Sequence, residues 1–298
     1  MKLELKNINK SFGKTQILHD VSFEVVSGKA MGFLGRNGAG KTTTIRTLMD
    51  VFRPDSGEFL LDGKPFNRNE YKIGYLPEER GMYQNIKLLD QLIYFGELKG
   101  MTAKDAKESA VKWLERLELS EYANKKLETL SKGNQQKIQI LQAVINDPDI
   151  VVFDEPFSGL DPVNSMVLKD IINEFISKNR VVIFSSHQMS YVEEFCDDIT
   201  FIKKGKIVLT GSLDEEKARL GKDKYLLITD ENSTTTLDNI DEIISITQLK
   251  SGVILEVREG INSNDLLKAL LDSNINVIKF EPYRPSLEEI FINLDREA

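Results

Sequence analysis

Residues 35–42 read Gly-Arg-Asn-Gly-Ala-Gly-Lys-Thr and fit the pattern Gly-x-x-x-x-Gly-Lys-Ser/Thr. What makes this a constraint on the fold is the flanking sequence. A short apolar run, Met31 to Leu34, precedes the pattern, and Ile45, Leu48, Met49 and Phe52 follow it at helical spacing. Strand, glycine-rich turn and helix together form a phosphate site rather than a mere reversal of the chain. Gly35, Gly38 and Gly40 allow the turns that bring backbone N–H groups against a polyphosphate. The helix start near Lys41 adds unsatisfied donors and the positive end of its dipole. Lys41 is placed to reach the outer phosphates and the Thr42 hydroxyl to ligate Mg²⁺, and residues 35–43, with Arg36, Asn37, Ala39 and Thr43, hold one nucleoside triphosphate.

Other sequence features narrow the setting. No window approaches the ~20 apolar residues of a membrane span, and the segment Met1 to Leu5 has no apolar signal core. Cys196 is alone, which suits a reducing compartment. The expectation is a cytosolic chain that does not cross a bilayer itself. A formal charge of −8 without a basic tract argues against a nucleic-acid partner.

Along the chain, Leu3, Leu5 and Ile8, then Val21, Phe23 and Val25, alternate as antiparallel strands do. Helical texture runs from Leu88 to Leu127, with Trp113 as packing. Ile150–Phe153 and Val181–Phe184 are continuous apolar runs, expected of strands buried on both faces of a parallel sheet. Residues 200–209 read as a hairpin and 212–224 as a charged helix, and a domain boundary is expected near 220. Beyond it, strands are expected at 225–229, 252–257 and 275–280, with a helix at 263–273 and a last helix capped by Ser286 and Glu289.

Asp154 and Glu155 end the first buried apolar run, where a parallel strand meets the phosphate site. Asp154 suits Mg²⁺ binding, and Glu155 suits the general base that activates or orients the attacking water. Ser131, followed by Gly133 and a helical run, makes a second anion site at a helix start. One bound nucleotide does not need that second site. His187 follows the second buried strand, whereas His19 has no partner in sight and receives no role.

The phosphate loop, Leu130-Ser-Lys-Gly-Asn134, Ile150-Val-Val-Phe-Asp-Glu-Pro156 and Ser185-Ser-His187 occur in the order and spacing of the ATP-binding cassette (ABC) ATPases, which residues 1–220 resemble. The resemblance implies an α/β phosphate-loop core with an antiparallel β subdomain and a helical insert at about 85–130, followed by a small α+β module at 221–298. It implies ATP hydrolysis with Mg²⁺ by two chains paired head to tail, as homodimer or heterodimer, Ser131 and Gly133 of each contacting the γ-phosphate of the other's ATP. Phe12 would stack on adenine, Ser158 to Asp161 would signal between sites, and His187 would contact the γ-phosphate. Three positions depart from the family pattern. Glu78 stands where glutamine is usual and is still able to ligate Mg²⁺, although a charge interacts differently with water and metal. Lys132 replaces the usual glycine, either adding a cation near phosphate or pointing into solvent, and Asn134 replaces a glutamine.

Pro77 to Gln84, with the ending Pro285 to Ile292, resembles bacterial exporters of sodium, antibiotics or lipids. There the membrane-spanning permease is a separate chain, so this subunit is expected at the inner face of the cell membrane through that partner. The rival is a soluble cassette acting on ribosomes or DNA. Translation-factor relatives carry two cassettes and repair relatives a long coiled coil, and neither is visible here. A third possibility makes residues 221–298 a ligand-sensing module, without a convergent polar site to support it.

Overall fold

The computed structural model describes residues 1–78, 81–157, 161–186, 188–230, 237 and 240–296. The chain divides into two compact units, Met1–Leu213 and Asp214–Ala298.

In the first unit, β1 (Lys2–Phe12) and β2 (Thr15–Val26) pair antiparallel, as their alternation requires. β3 (Ala30–Leu34) leads through the glycine-rich loop into α1 (Lys41–Leu48). β4 (Ser56–Leu61) and β5 (Lys64–Pro65) complete a four-stranded sheet of order β2-β1-β4-β5. β6 (Ile73–Leu76) precedes the helical insert, in which α2 (Leu88–Leu98) packs on α3 (Ala103–Arg116). Thr102 caps α3 by accepting from the Asp105 N–H at 3.1 Å, while its hydroxyl donates to the Asp105 carboxylate at 2.7 Å.

Then follow α4 (Lys132–Val144), β7 (Ile150–Asp154), α5 (Pro162–Ser177), β8 (Val181–Ser186), α6 (Met189–Phe195), β9 (Asp198–Lys203) and β10 (Lys206–Ser212). The second sheet has the order β10-β9-β3-β8-β7-β6. Its pairs are parallel except for the terminal hairpin of β9 and β10. β3, β7 and β8 are buried along their whole length, which accounts for their unbroken apolar runs. A core of Leu5, Phe23, Phe33, Ile45, Val152 and Ile183, among others, joins the antiparallel sheet to the parallel one.

α1 stops sooner than the apolar spacing predicts. Met49 caps it and Asp50 turns into the left-handed region at φ 60°, so the amide of Val51 folds back onto the Arg46 carbonyl. Phe52 thus leaves the helix and sets its ring edge-on to Phe12, 5.0 Å between centroids.

The second unit begins at Asp214, so most of the charged helix α7 (Leu213–Leu220) belongs to it rather than to the first. β11 (Lys224–Thr229), β12 (Ile243–Leu249), β13 (Gly252–Val257) and β14 (Val277–Pro282) form an antiparallel sheet of order β12-β13-β11-β14. β12 is a strand that the sequence reading passes over. It lies at the sheet edge, where Ile244, Ser245, Thr247 and Gln248 stay exposed and blur the apolar alternation. α8 (Ser263–Asp272) buries Leu266 and Leu270 against Leu227, Val253 and Leu255. α9 (Leu287–Arg296) opens with the expected capping box: the Glu289 N–H donates to Ser286 Oγ at 3.2 Å, and the Ser286 N–H donates to the Glu289 carboxylate at 2.7 Å.

Candidate active site

The site forms where the parallel strands end. Gly40 occupies the N-cap of α1 at φ 113°, a backbone state that favours glycine, and no side chain caps the helix. A Cβ there would also lie 2.9 Å from Leu18. The first-turn donors of α1 therefore face a cavity of about 530 Å³ lined by Phe12, Ile17, Arg36, Asn37, Gly38, Gly40, Lys41, Thr42, Thr43, Glu78 and Glu155. Gly35 and Ala39 are buried beneath the loop, with the Ala39 carbonyl accepting from Gly205 N–H at 2.8 Å. Phe12 is 43% exposed and forms one wall; the Lys10 ammonium lies over its ring, 5.4 Å from the centroid.

Lys41 is buried at the cavity floor. Its ammonium donates to the Gly35 carbonyl at 2.6 Å and lies 3.9 Å from the Glu155 carboxylate. Glu155 has φ 52°, an uncommon conformation for a residue with a side chain, at the turn where β7 ends. The turn is held across the sheet. Ser185, the parallel partner of Asp154 on β8, accepts from the Glu155 N–H at 3.0 Å and donates to Asp154 Oδ1 at 2.6 Å. Asp154 Oδ2 is buried without a hydrogen-bond partner. Burial pushes the Asp154 carboxyl above its usual range; the Ser185 hydrogen bond opposes that shift, and the negative charges of Glu78 and Glu155 add to it.

A smaller cavity of about 70 Å³ adjoins the first, lined by Leu76, Pro77, Glu78, Gln136, Gln139, Asp154 and Glu155. The structure thus brings Phe12, the phosphate loop, Glu78, Asp154 and Glu155 together. It does not bring Ser131 and Gly133 to them, for neither lines either cavity. Ser131 is exposed at the N-cap of α4, where its hydroxyl accepts from Asn134 N–H at 3.3 Å. Gly133 packs against α5, where a Cβ would come within 2.4 Å of the Asn164 amide nitrogen. Asp161 caps α5, accepting from Asn164 N–H at 2.9 Å. His187 and Ser158 to Leu160 lie outside the described residues.

Sequence reasoning gave Ser185, Gln136 and Ile17 no role of their own. The signal for Ser185 was a hydroxyl at the end of an otherwise apolar strand, meaningful only once β8 is known to lie beside β7.

The family model for ABC transporters matches residues 18–158, and that for the C-terminal domain of DrrA1-3-like ATP-binding proteins matches residues 211–294. An uncharacterised ABC transporter ATP-binding protein of Bacillus subtilis is 39% identical over 291 residues, 97% of each chain. The chain belongs to the ATP-binding subunits of ABC transporters. It is an ATPase with the cassette fold. A second uncharacterised relative, from Methanocaldococcus jannaschii, is 39% identical over 98% of each chain. The linearmycin resistance ATP-binding protein of Bacillus subtilis is 30% identical over 98% of this chain and 97% of its own. Among solved structures, an ATP-binding subunit of an ABC transporter superposes with TM-score 0.68 at 27% identity, covering 74% of this chain and 94% of that one. A dimeric cassette bound to ADP and phosphate gives TM-score 0.62 at 23% identity over 70% of this chain and 98% of that one, a likeness of fold. No described helix is long and apolar enough to cross a membrane.

Proposed function

We propose that this chain powers a separate membrane-spanning exporter, working as a head-to-tail pair that closes on two ATP molecules and reopens after hydrolysis. The observation that carries the membrane partner is an exposed apolar surface on the helical insert. Tyr83, Ile86 and Tyr94 are 52%, 41% and 48% exposed, and with Asp90 and Gln91 they line a hollow of about 290 Å³. A short apolar helix from a permease fits such a surface. The linearmycin resistance relative supports outward transport. The reading in which a soluble cassette acts on ribosomes or DNA has no such support, and the net charge of −8 disfavours nucleic acid.

Within one site, Phe12 stacks on adenine while the α1 amides and Lys41 hold the phosphates. Glu155, fixed by its backbone bond to Ser185, takes the proton from the attacking water or orients it. Asp154, Thr42 and Glu78 form an all-oxygen donor set, and the unpartnered Asp154 Oδ2 gives it a vacant hydrogen-bonding capacity, so these residues suit Mg²⁺. When bound, that ion would neutralise phosphate charge. Ser131 and Gly133 of the second chain, with His187 of the first, complete the γ-phosphate contacts.

Shifting the pair from about 1:99 to 99:1 closed needs ~5.5 kcal/mol of differential binding, which charge-assisted hydrogen bonds from two nucleotides can supply. The test is to isolate the chain from membranes of its native host in mild detergent. Stoichiometric recovery of a polytopic membrane protein is expected. Recovery with ribosomes or DNA, or alone, would overturn the transport reading and leave the ATPase standing.

A further inference from the structure

The smaller cavity contains a donor that the reaction described above does not use. It lies between the ends of β6 and β7, under the face of α4 that carries Gln136 and Gln139 one helical turn apart. Three carboxylates line it, those of Glu78, Asp154 and Glu155, and three acids around about 70 Å³ need hydrogen-bond donors. Gln136 already donates to the Pro156 carbonyl at 3.0 Å. Gln139 is only 7% exposed, and among the described residues its side-chain amide has no hydrogen-bond partner. The volume is enough for water, and the lining supplies the polar groups that a buried water requires.

We propose that Gln139 is a positioning residue for ATP hydrolysis: through water held in this cavity, its amide hydrogen-bonds the carboxylates at the end of β7 and keeps Glu155 aimed at the attacking water. The role acts through other groups, because Gln139 does not line the cavity that contains the phosphate loop. It rests on the assignment of Glu155 proposed above. α4 then serves two ATP sites, with Ser131 at its tip facing the nucleotide of the second chain and Gln139 two turns on serving its own.

The experiment compares steady-state ATP hydrolysis, binding of a fluorescent ATP analogue and thermal unfolding for the full chain and its variants. Gln139→Met keeps the side-chain volume and removes the amide. It is expected to lower kcat by ~10-fold or more, as loss of an outer-shell hydrogen bond to a charged group does, with KM, analogue binding and melting temperature unchanged. Gln139→Asn, which keeps a donor within reach of an additional water, is expected to recover most of that loss. A wild-type kcat in a folded Gln139→Met protein overturns the proposal, as does a parallel fall of kcat and melting temperature in both variants. Glu155→Gln is the control. If it turns over normally, the assignment of Glu155 fails; if it is inactive while Gln139→Met is normal, only the present proposal fails. A crystal structure of the unaltered protein supplies a readout independent of activity and of any variant's folding. An ordered water bonded both to the Gln139 amide and to an Asp154, Glu155 or Glu78 carboxylate is expected, and a dry cavity would overturn the role.

Discussion

Two helices of this cassette begin with small polar or glycine residues suited to anions, and they are built differently. α1 starts from Gly40 with no side-chain cap, so its free amides face a walled cavity floored by Lys41 and Glu155. α4 starts from Ser131, whose own hydroxyl accepts from its first turn, and this exposed residue lines neither cavity of the candidate site. The first is a walled site within one chain, to which the second chain of the proposed pair would add its γ-phosphate contacts. On the head-to-tail reading proposed above, the second would offer the electrostatics of a helix N-terminus to a nucleotide held by another chain. This difference is what the head-to-tail pairing proposed above would exploit.

The largest effect should come from the walled site. Glu155→Gln is expected to reduce hydrolysis by about 10²–10⁴-fold, the range for loss of a general base, while ATP binding persists. Because the nucleotide is no longer consumed, the closed pair should accumulate and elute as a dimer in ATP by size-exclusion chromatography. Normal turnover would remove Glu155 from the chemistry.

Ser131→Arg tests the other helix. A bulky cation at the exposed tip should leave the ATP affinity of the isolated chain within about 2-fold of wild type, yet lower hydrolysis by ~10²-fold, comparable with loss of an oxyanion donor. The sharper form mixes the two inactive proteins. A head-to-tail pair of one Ser131→Arg chain and one Glu155→Gln chain contains one intact site, so partial activity should return. If both variants bind ATP and the mixture stays inactive, the contrast between the two helix ends is broken.

Both helix starts could be read from the sequence, and the reason their supporting residues could not is physical. Gly35 to Thr42 carry their chemistry in the backbone, and local spacing specifies it. Asp154 and Glu155 were marked by the apolar strand before them, which is also local. Ser185 gains its role only from the β7–β8 register, and Gln139 only from the packing of α4 over the ends of β6 and β7. Neither relation leaves a trace in nearby sequence. In the second unit, Leu266 and Leu270 marked α8 through a strong apolar face, whereas edge strand β12 hid behind its exposed polar positions. The early end of α1 depended on Asp50 taking a left-handed conformation that apolar spacing does not encode.

A smaller effect is expected at the rim. Phe12→Ala should raise KM for ATP by ~10-fold, since stacking of a base on an aromatic ring contributes about 1–3 kcal/mol, and should leave kcat unchanged. Phe12→Tyr should restore KM. An unaltered KM in the alanine variant would assign the ring to its contacts with Phe52 and Lys10.

The smallest effect concerns stability, and its sign is opposite to its effect on function. Asp154 Oδ2 is buried and unpartnered, and burial raises the folded-state pKa of the carboxyl above its unfolded value. The folded protein therefore binds this proton more tightly than the unfolded chain does. Its contribution to stability is fully present below the unfolded pKa and is lost as pH rises through the folded one, so at neutral pH the ionised carboxylate weakens the fold. Asp154→Asn removes that charge, leaves an acceptor for the Ser185 hydroxyl, and places an amide where the lone oxygen was. The variant should melt a few degrees higher than wild type at neutral pH, roughly 2–4 °C for each kcal/mol gained in a chain of this size. The gain should shrink as pH falls towards the unfolded carboxylate range, where both states of the wild type are protonated. Thermal unfolding of the two proteins across that pH range decides the matter. An Asp154→Asn protein that is less stable at neutral pH would mean that the Asp154 carboxylate holds the ends of β7 and β8 together, instead of being kept under strain for the nucleotide.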